Sequence, residues 1–169
     1  MHIASTRNEL NVLAAWATAV SDAVRAAVEA SAGLGGAGPA ALVAIVADPG
    51  MSIDELRRVL GITHPGTVRL VDRLVERGWV RREADVGRQV RLQPTRTGRR
   101  AEQRLVEARE SAVRDLHAAL PERDLRLIAE TLAPALERAA VDLDTQRRLC
   151  RLCDRGCCET CPVRTAGEK

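Results

Sequence analysis

Between Ser52 and Gly78 the chain punctuates two short helices joined by a tight turn, and this pattern constrains the fold more than any other stretch. Ser52-Ile-Asp-Glu55 is a capping box: the Ser52 hydroxyl accepts from the Glu55 amide, and the Glu55 carboxylate accepts from the Ser52 amide. Gly61 ends that first helix in the left-handed conformation that glycine adopts without cost. Thr63 or His64 then caps a second helix, with Pro65 in its first turn, where the missing N–H has no partner to lose. It runs to Arg77 and stops at Gly78, completing a helix-turn-helix signature.

The stretch beyond this helix pair narrows the class. The segments Trp79–Arg82 and Arg88–Leu92 carry β-formers on either side of Glu83-Ala-Asp-Val-Gly87, which predicts a two-stranded hairpin, a wing. Upstream, Leu10, Leu13, Ala17, Val20, Val24 and Ala27 recur at three- and four-residue spacing and predict a helix from Asn8 to Ala30. The run Ser31–Pro39 breaks it, and a nearly all-apolar helix over Ala40–Ala47, buried on most sides, closes at Asp48-Pro49-Gly50. Downstream, Arg99 to about Leu120 forms a helix with Leu105, Ala108, Ala112, Val113, Leu116 and Ala119 on one side. Pro121-Glu122 opens a last helix towards Cys150, with Leu125, Ile128, Leu132, Leu136, Ala139 and Leu143 in register and a kink at Pro134.

The fold class expected is mainly α with a small β-hairpin wing, a winged helix-turn-helix dimerised by its N- and C-terminal helices. Residues 1–37 are the N-terminal dimerisation helix, 38–98 the DNA-binding domain, 99–149 the C-terminal dimerisation helices and 150–169 a cysteine-rich tail. With 169 residues, no Phe or Tyr, and Trp16 and Trp79 as the aromatic residues, the core is aliphatic. The two terminal helical parts carry apolar faces that one small domain cannot cover, which predicts a homodimer.

Charge points to the partner. Ser52 to Arg104 holds thirteen Arg against seven Asp and Glu, a net +6, whereas the whole chain is +3. The basic charge is segregated, as a footprint for double-stranded DNA is. Lys169 is the single lysine, and arginine suits bidentate contacts with guanine and phosphate. In the second helix Val68, Val71, Leu74 and Val75 are expected to point inward. That leaves Gly66, Thr67, Arg69 and Arg73 facing outward, beside His64 and Pro65 at the helix start. Thr67 and Arg69 are the candidates for base contacts in the major groove and Arg73 for phosphate. At the hairpin tip, Asp85 orients Arg88 towards the minor groove.

These residues carry a family resemblance. Leu56-Arg-Arg-Val-Leu-Gly61, His64-Pro-Gly-Thr-Val-Arg-Leu-Val-Asp-Arg-Leu-Val-Glu-Arg-Gly-Trp-Val80, Asp85-Val-Gly-Arg88 and Arg91-Leu-Gln-Pro-Thr95 resemble the multiple-antibiotic-resistance (MarR) regulators, and the likeness spans about residues 5–149. The resemblance implies a homodimer with intertwined terminal helices, and paired recognition helices and wings on a pseudo-palindrome. It also implies release from DNA when a small aromatic effector or an oxidant acts near the dimer interface. Two features depart from the family pattern: the wing is shorter than the form with a second Asp before the Arg, and the tail after Leu149 is additional. Scarce aromatic side chains give a phenol-type pocket little support.

Within that tail, Cys150, Cys153, Cys157, Cys158 and Cys161 lie inside twelve residues. Cys150-x-x-Cys153 and Cys158-x-x-Cys161 would hold one metal tetrahedrally, zinc first and an iron–sulfur cluster second, with Cys157 as an alternate ligand. A metal-free thiol–disulfide switch and an incidental tail are the other readings. No leader-like N-terminus or membrane-length apolar run is present, so a cytoplasmic protein with reduced thiols is expected. The functional expectation is a sequence-specific transcriptional regulator, a repressor, that responds to metal, redox state or a small-molecule effector through its tail or core. A thiol–disulfide oxidoreductase using Cys150-x-x-Cys153 lacks the βαβ context such motifs belong to. An architectural protein binding DNA without preference is the third reading. No Ser/His/Asp set, carboxylate pair or phosphate loop supports an enzyme.

Overall fold

The computed structural model describes residues 2–84, 90–156 and 161–165. The helices are α1 (His2–Ala32), α2 (Gly38–Ala47), α3 (Ile53–Leu60) and α4 (His64–Glu76), then β1 (Val80–Ala84) and β2 (Val90–Pro94). After them come α5 (Arg96–His117), α6 (Glu122–Ala139), α7 (Leu143–Leu149) and α8 (Pro162–Thr165).

α2 is the centre of the domain. Every residue from Gly38 to Ile45 is buried, and Ala41, Leu42 and Ile45 have no exposed surface. α1, α3, α4, α5 and β2 all pack on it. Around it lie Val28, Leu34, Leu56, Leu70, Leu74, Leu92 and Leu105, each contributing about 1.5–3 kcal/mol by leaving water. α3 and α4 follow their punctuation: the capping box of Ser52 and Glu55 is formed in both directions, and Gly61 closes α3 at φ 66°. Thr63, not His64, caps α4, its hydroxyl accepting from the Gly66 amide at 3.3 Å.

β1 and β2 pair antiparallel, with Val80 opposite Pro94 and Ala84 opposite Val90, both strands shifted towards the C-terminus of the segments expected from sequence. Their base gains support that periodicity does not reveal. The Gly50 amide donates to Leu92 O (2.8 Å) and the Leu92 amide to Met51 O (2.9 Å), so the α2–α3 connection lies alongside β2. Where β2 passes into α5, Thr95 donates from its amide to Trp79 O (2.9 Å) and from its hydroxyl to Gly78 O (2.6 Å).

α1 and α5 run against one another, while α6 lies largely outside the core. α1 starts earlier than its apolar stripe, at His2, and the glycine break is shorter than expected because Pro39 sits inside the first turn of α2. The single last helix expected from sequence is two helices. α6 passes through Pro134 and ends at Ala139; Ala140 turns out of helix, and the Asp142 carboxylate restarts the chain by accepting from the Thr145 amide at 2.7 Å. Among the described residues no helix is long and apolar enough to cross a membrane.

A Cβ built on Gly98 would stand 2.0 Å from the carbonyl oxygen of Trp79, a backbone atom that cannot yield. Gly98→Ala is therefore expected to destabilise the fold by about 3 kcal/mol, read as a lower denaturant midpoint at unchanged slope.

Candidate nucleic-acid interface

The face of α4 that could meet a groove is set by the side chains that turn inward. Thr67, Leu70, Val71 and Leu74 are buried, while Val68 and Val75 are half-buried. The inward stripe is rotated by one position from the hydrophobic pattern, and Thr67 is the residue that sequence reading misplaces. It is 0% exposed and its hydroxyl donates to Thr63 O at 3.0 Å, so it locks the helix start and presents nothing outward. Its polarity is satisfied by the preceding turn, which lets a threonine occupy a core position.

His64, Pro65, Arg69 and Arg73 are exposed, and Gly66 is half-buried. Arg69 and Arg73 make no ion pair with a described residue, and the nearby carboxylate of Asp72 is taken by Arg82 of β1 at 2.6 Å. That pair ties the wing to α4 and leaves the positive charge of Arg69 and Arg73 uncancelled. Asp85 and Arg88, the expected wing contacts, lie outside the described residues.

Other arginines of the basic segment serve the fold. Arg77 donates to Ala32 O (2.8 Å) and Gly33 O (2.6 Å), neutralising the C-terminal end of α1, and its guanidinium lies 5.1 Å from the Trp79 ring centroid. Arg57 and Arg58 pair with Asp54 at 2.9 Å each. Arg96, Arg99 and Arg100 in the first turns of α5 are exposed, a second basic surface that the charge count included without assigning.

The tail does not hang from the last helix. α7 packs on α3, with Arg58 to Asp144 at 3.2 Å and Arg148 donating to Arg58 O at 3.3 Å. Asp48, at the end of α2, pairs with Arg147 (3.4 Å) and Arg155 (3.2 Å). Val163 of α8 is buried, with α8 against α6 and α7. Arg155 on Asp48 and Leu152 on the core bring the tail itself against residues 38–98, beside the contacts of α7, which lies within the 99–149 route that the sequence suggested.

Cys150 caps α7 and Cys153 comes one turn later, its amide donating to Cys150 O at 3.0 Å. The two thiols share a hydrogen bond, which holds Cys153 down at about 6; burial opposes this, and Arg109, Arg155 and Arg151 reinforce it. The same hydrogen bond, with burial, pushes Cys150 upward. Cys150 and Cys161 line a cavity of about 370 Å³ with Asp48, Arg147 and Arg155. Cys157 and Cys158 lie outside the described residues, and among the described residues no three His, Cys, Asp or Glu side chains are grouped to hold a metal ion.

A buried helix beneath a capped helix-turn-helix, a two-stranded wing and long flanking helices is the architecture of a winged-helix DNA-binding protein. A family model described as the MarR family matches residues 32–89. The chain is similar to a MarR family protein of Mycobacterium tuberculosis in complex with p-aminosalicylic acid (25% identity, TM-score 0.59, 73% of this chain and 97% of that one). It is also similar to the multiple antibiotic-resistance repressor of Listeria monocytogenes (18%, TM-score 0.63, 80% and 94%). The wild-type apo MarR of E. coli is a third likeness (20%, TM-score 0.63, 73% and 96%). No curated protein matches the chain. The family-model match covers the winged helix-turn-helix segment, and these likenesses show that the chain has the winged-helix fold of MarR-type proteins.

The placement of Thr67 separates structure from recognition at adjacent outward and inward positions. Thr67→Val is expected to cost about 1 kcal/mol of stability through the lost hydrogen bond to Thr63, with the ratio of specific to random DNA affinity unchanged in a binding titration.

Proposed function

We propose that the chain is a homodimeric repressor that reads a roughly two-fold symmetric DNA site, with Arg69 on base edges, Arg73 on phosphate and the wing arginine Arg88 in the flanking minor groove. The observation that carries the reading is the outer face of α4. Two arginines there have no carboxylate partner among the described residues, on a helix whose opposite face carries the buried Thr67, Leu70, Val71 and Leu74. An arginine kept for the fold would be paired, as Arg77 and Arg82 are.

Dimerisation is supported by the apolar surface that one copy leaves uncovered. Leu10, Val12 and Leu13 of α1 are 53–60% exposed, and Leu125, Leu127, Leu132 and Leu136 of α6 are 39–62% exposed. Such aliphatic stripes on two long helices fit a second copy of the same chain. The paired α4 helices would then enter successive major grooves about 34 Å apart. In this reading the tail, tied to Asp48 through Arg155, is the element that receives a signal.

Footprinting on the DNA flanking the chain's own gene tests the function, with two-fold symmetric protection of about two helical turns expected. Sedimentation at micromolar concentration should give a dimer, and a stable monomer would refute the arrangement. Arg69→Ala should reduce discrimination between the footprinted site and random DNA by about 1–3 kcal/mol, whereas Arg73→Ala should weaken both equally and lower the salt slope by about one. Equal losses on both DNAs for Arg69→Ala would remove it from base reading.

A further inference from the structure

We propose that Arg148 of α7 contacts a phosphate of the DNA backbone, so that a helix outside residues 38–98 completes the DNA-binding surface beside the recognition helix. The proposal rests on the regulator reading and extends its contact surface.

Helix-turn-helix geometry decides what this part of the molecule faces. When a recognition helix enters the major groove, the helix before it crosses the sugar–phosphate backbone. Here that helix is α3, and the turn from Gly61 to Thr63 leads from it into α4. Arg57, Arg58, Gly61 and Thr63 line an open groove of about 880 Å³, with Asp144 and Arg148 of α7 on its other side. Gly61, Thr63, His64 and Pro65 are all exposed, so the groove runs on into the surface at which α4 begins.

Local sequence puts α7 in place. The Asp142 carboxylate caps it, accepting from the Thr145 amide, and Asp144 in its first turn meets Arg58 at 3.2 Å. Arg148 follows one turn later on the same face, because residues four apart on a helix lie side by side. It reaches the C-terminal end of α3: its guanidinium donates to Arg58 O at 3.3 Å and lies 3.8 Å from where a Cβ of Gly61 would stand. A glycine at that corner leaves the guanidinium room over the turn.

The charge balance of the groove points to its ligand. Asp54 holds both Arg57 and Arg58 at 2.9 Å, and Asp144 holds Arg58 a second time. Three guanidiniums against two carboxylates leave one positive charge. It falls to Arg148, which is exposed and makes no ion pair with a described residue. An arginine kept only to close a helix uses its fork as Arg77 does, with bonds of 2.6 and 2.8 Å to two carbonyls at the end of α1. Arg148 makes a single, longer bond, and the rest of its five N–H groups are hydrogen-bonded to no described residue. A planar fork with free donors and one uncancelled charge suits the anionic oxygens of a phosphodiester.

The test uses the full chain and the footprinted duplex. Between about 50 and 200 mM salt, wild-type affinity should fall more steeply than that of Arg148→Ala, by a slope of about one per bound subunit or about threefold in affinity, on specific and random DNA alike. Arg148→Lys, which keeps the charge, should retain the wild-type slope. Neutral methylphosphonates placed one at a time along the backbone should reveal one phosphate in each half-site whose neutralisation weakens the wild type and leaves Arg148→Ala unaffected. An unchanged salt slope overturns the proposal, as does a methylphosphonate profile that is the same in both proteins. Hydrogen exchange over residues 53–63 separates contact from anchoring: if Arg148→Ala quickens it while the methylphosphonate profile stays that of the wild type, Arg148 only ties α7 to α3 and the proposal falls. If Arg69→Ala loses discrimination while Arg148→Ala changes nothing, the regulator reading stands and this contact does not. A chain that binds no duplex removes both.

Discussion

The complete burial of α2 is the constraint on which the other contacts depend. A core without Phe or Tyr cannot fill space with rings, so its helices must approach closely on small side chains. Gly38, Ala40, Ala41 and Ala44 allow that approach on every side of α2. At Gly38 a Cβ would fall 2.4 Å from the Leu34 side chain, so the helix can start where it does because that position has no side chain. The cost appears at the other end. Asp48 brings a carboxylate to the negative terminus of α2, an unfavourable place for it, and Arg147 of α7 and Arg155 of the tail compensate. Close packing of the centre thus creates the dock on which the tail rests.

Arginine does two kinds of work in this chain, and position on the secondary structure sorts them. Arg77 faces the open carbonyls at the end of α1, and Arg82 reaches Asp72 across the wing and α4, so both hold elements together. Arg69 and Arg73 make no ion pair with a described residue, and their charge remains available to phosphate and bases. A net count of +6 over the segment therefore overstates its footprint, since part of that charge is neutralised internally. Each exposed pair contributes about 0–1 kcal/mol, and their value lies in fixing geometry more than in stability.

Local signals were legible and distant ones were not. The limits of α3 and α4 could be read because caps and glycines act within four residues, as Ser52, Gly61 and Thr63 do. The facing of Thr67 was misread because hydrophobicity stood in for burial, and its hydroxyl is satisfied by Thr63 O in a way composition does not encode. The split between α6 and α7 hides in a polar Asp142 within an otherwise continuous apolar stripe. Contacts such as Arg147 to Asp48 and Arg148 to Arg58, 99 and 90 positions apart, leave no local mark. The wing arginine rests on motif alone, and Arg88 lies outside the described residues.

The docking of the tail has the energy scale that regulation requires. Its ties to the winged domain are a few ion pairs and hydrogen bonds, about 1 kcal/mol each, and the packing of Leu152. The interface between α1 and α5 is far larger and would resist a small perturbation. An element held by a few kcal/mol can be shifted by one covalent or ligand event of similar size, whereas a core helix cannot. Because α7 rests on α3, and α3 leads into the Thr63 cap of α4, α7 is linked to α4 through two contacts that bypass the long helices.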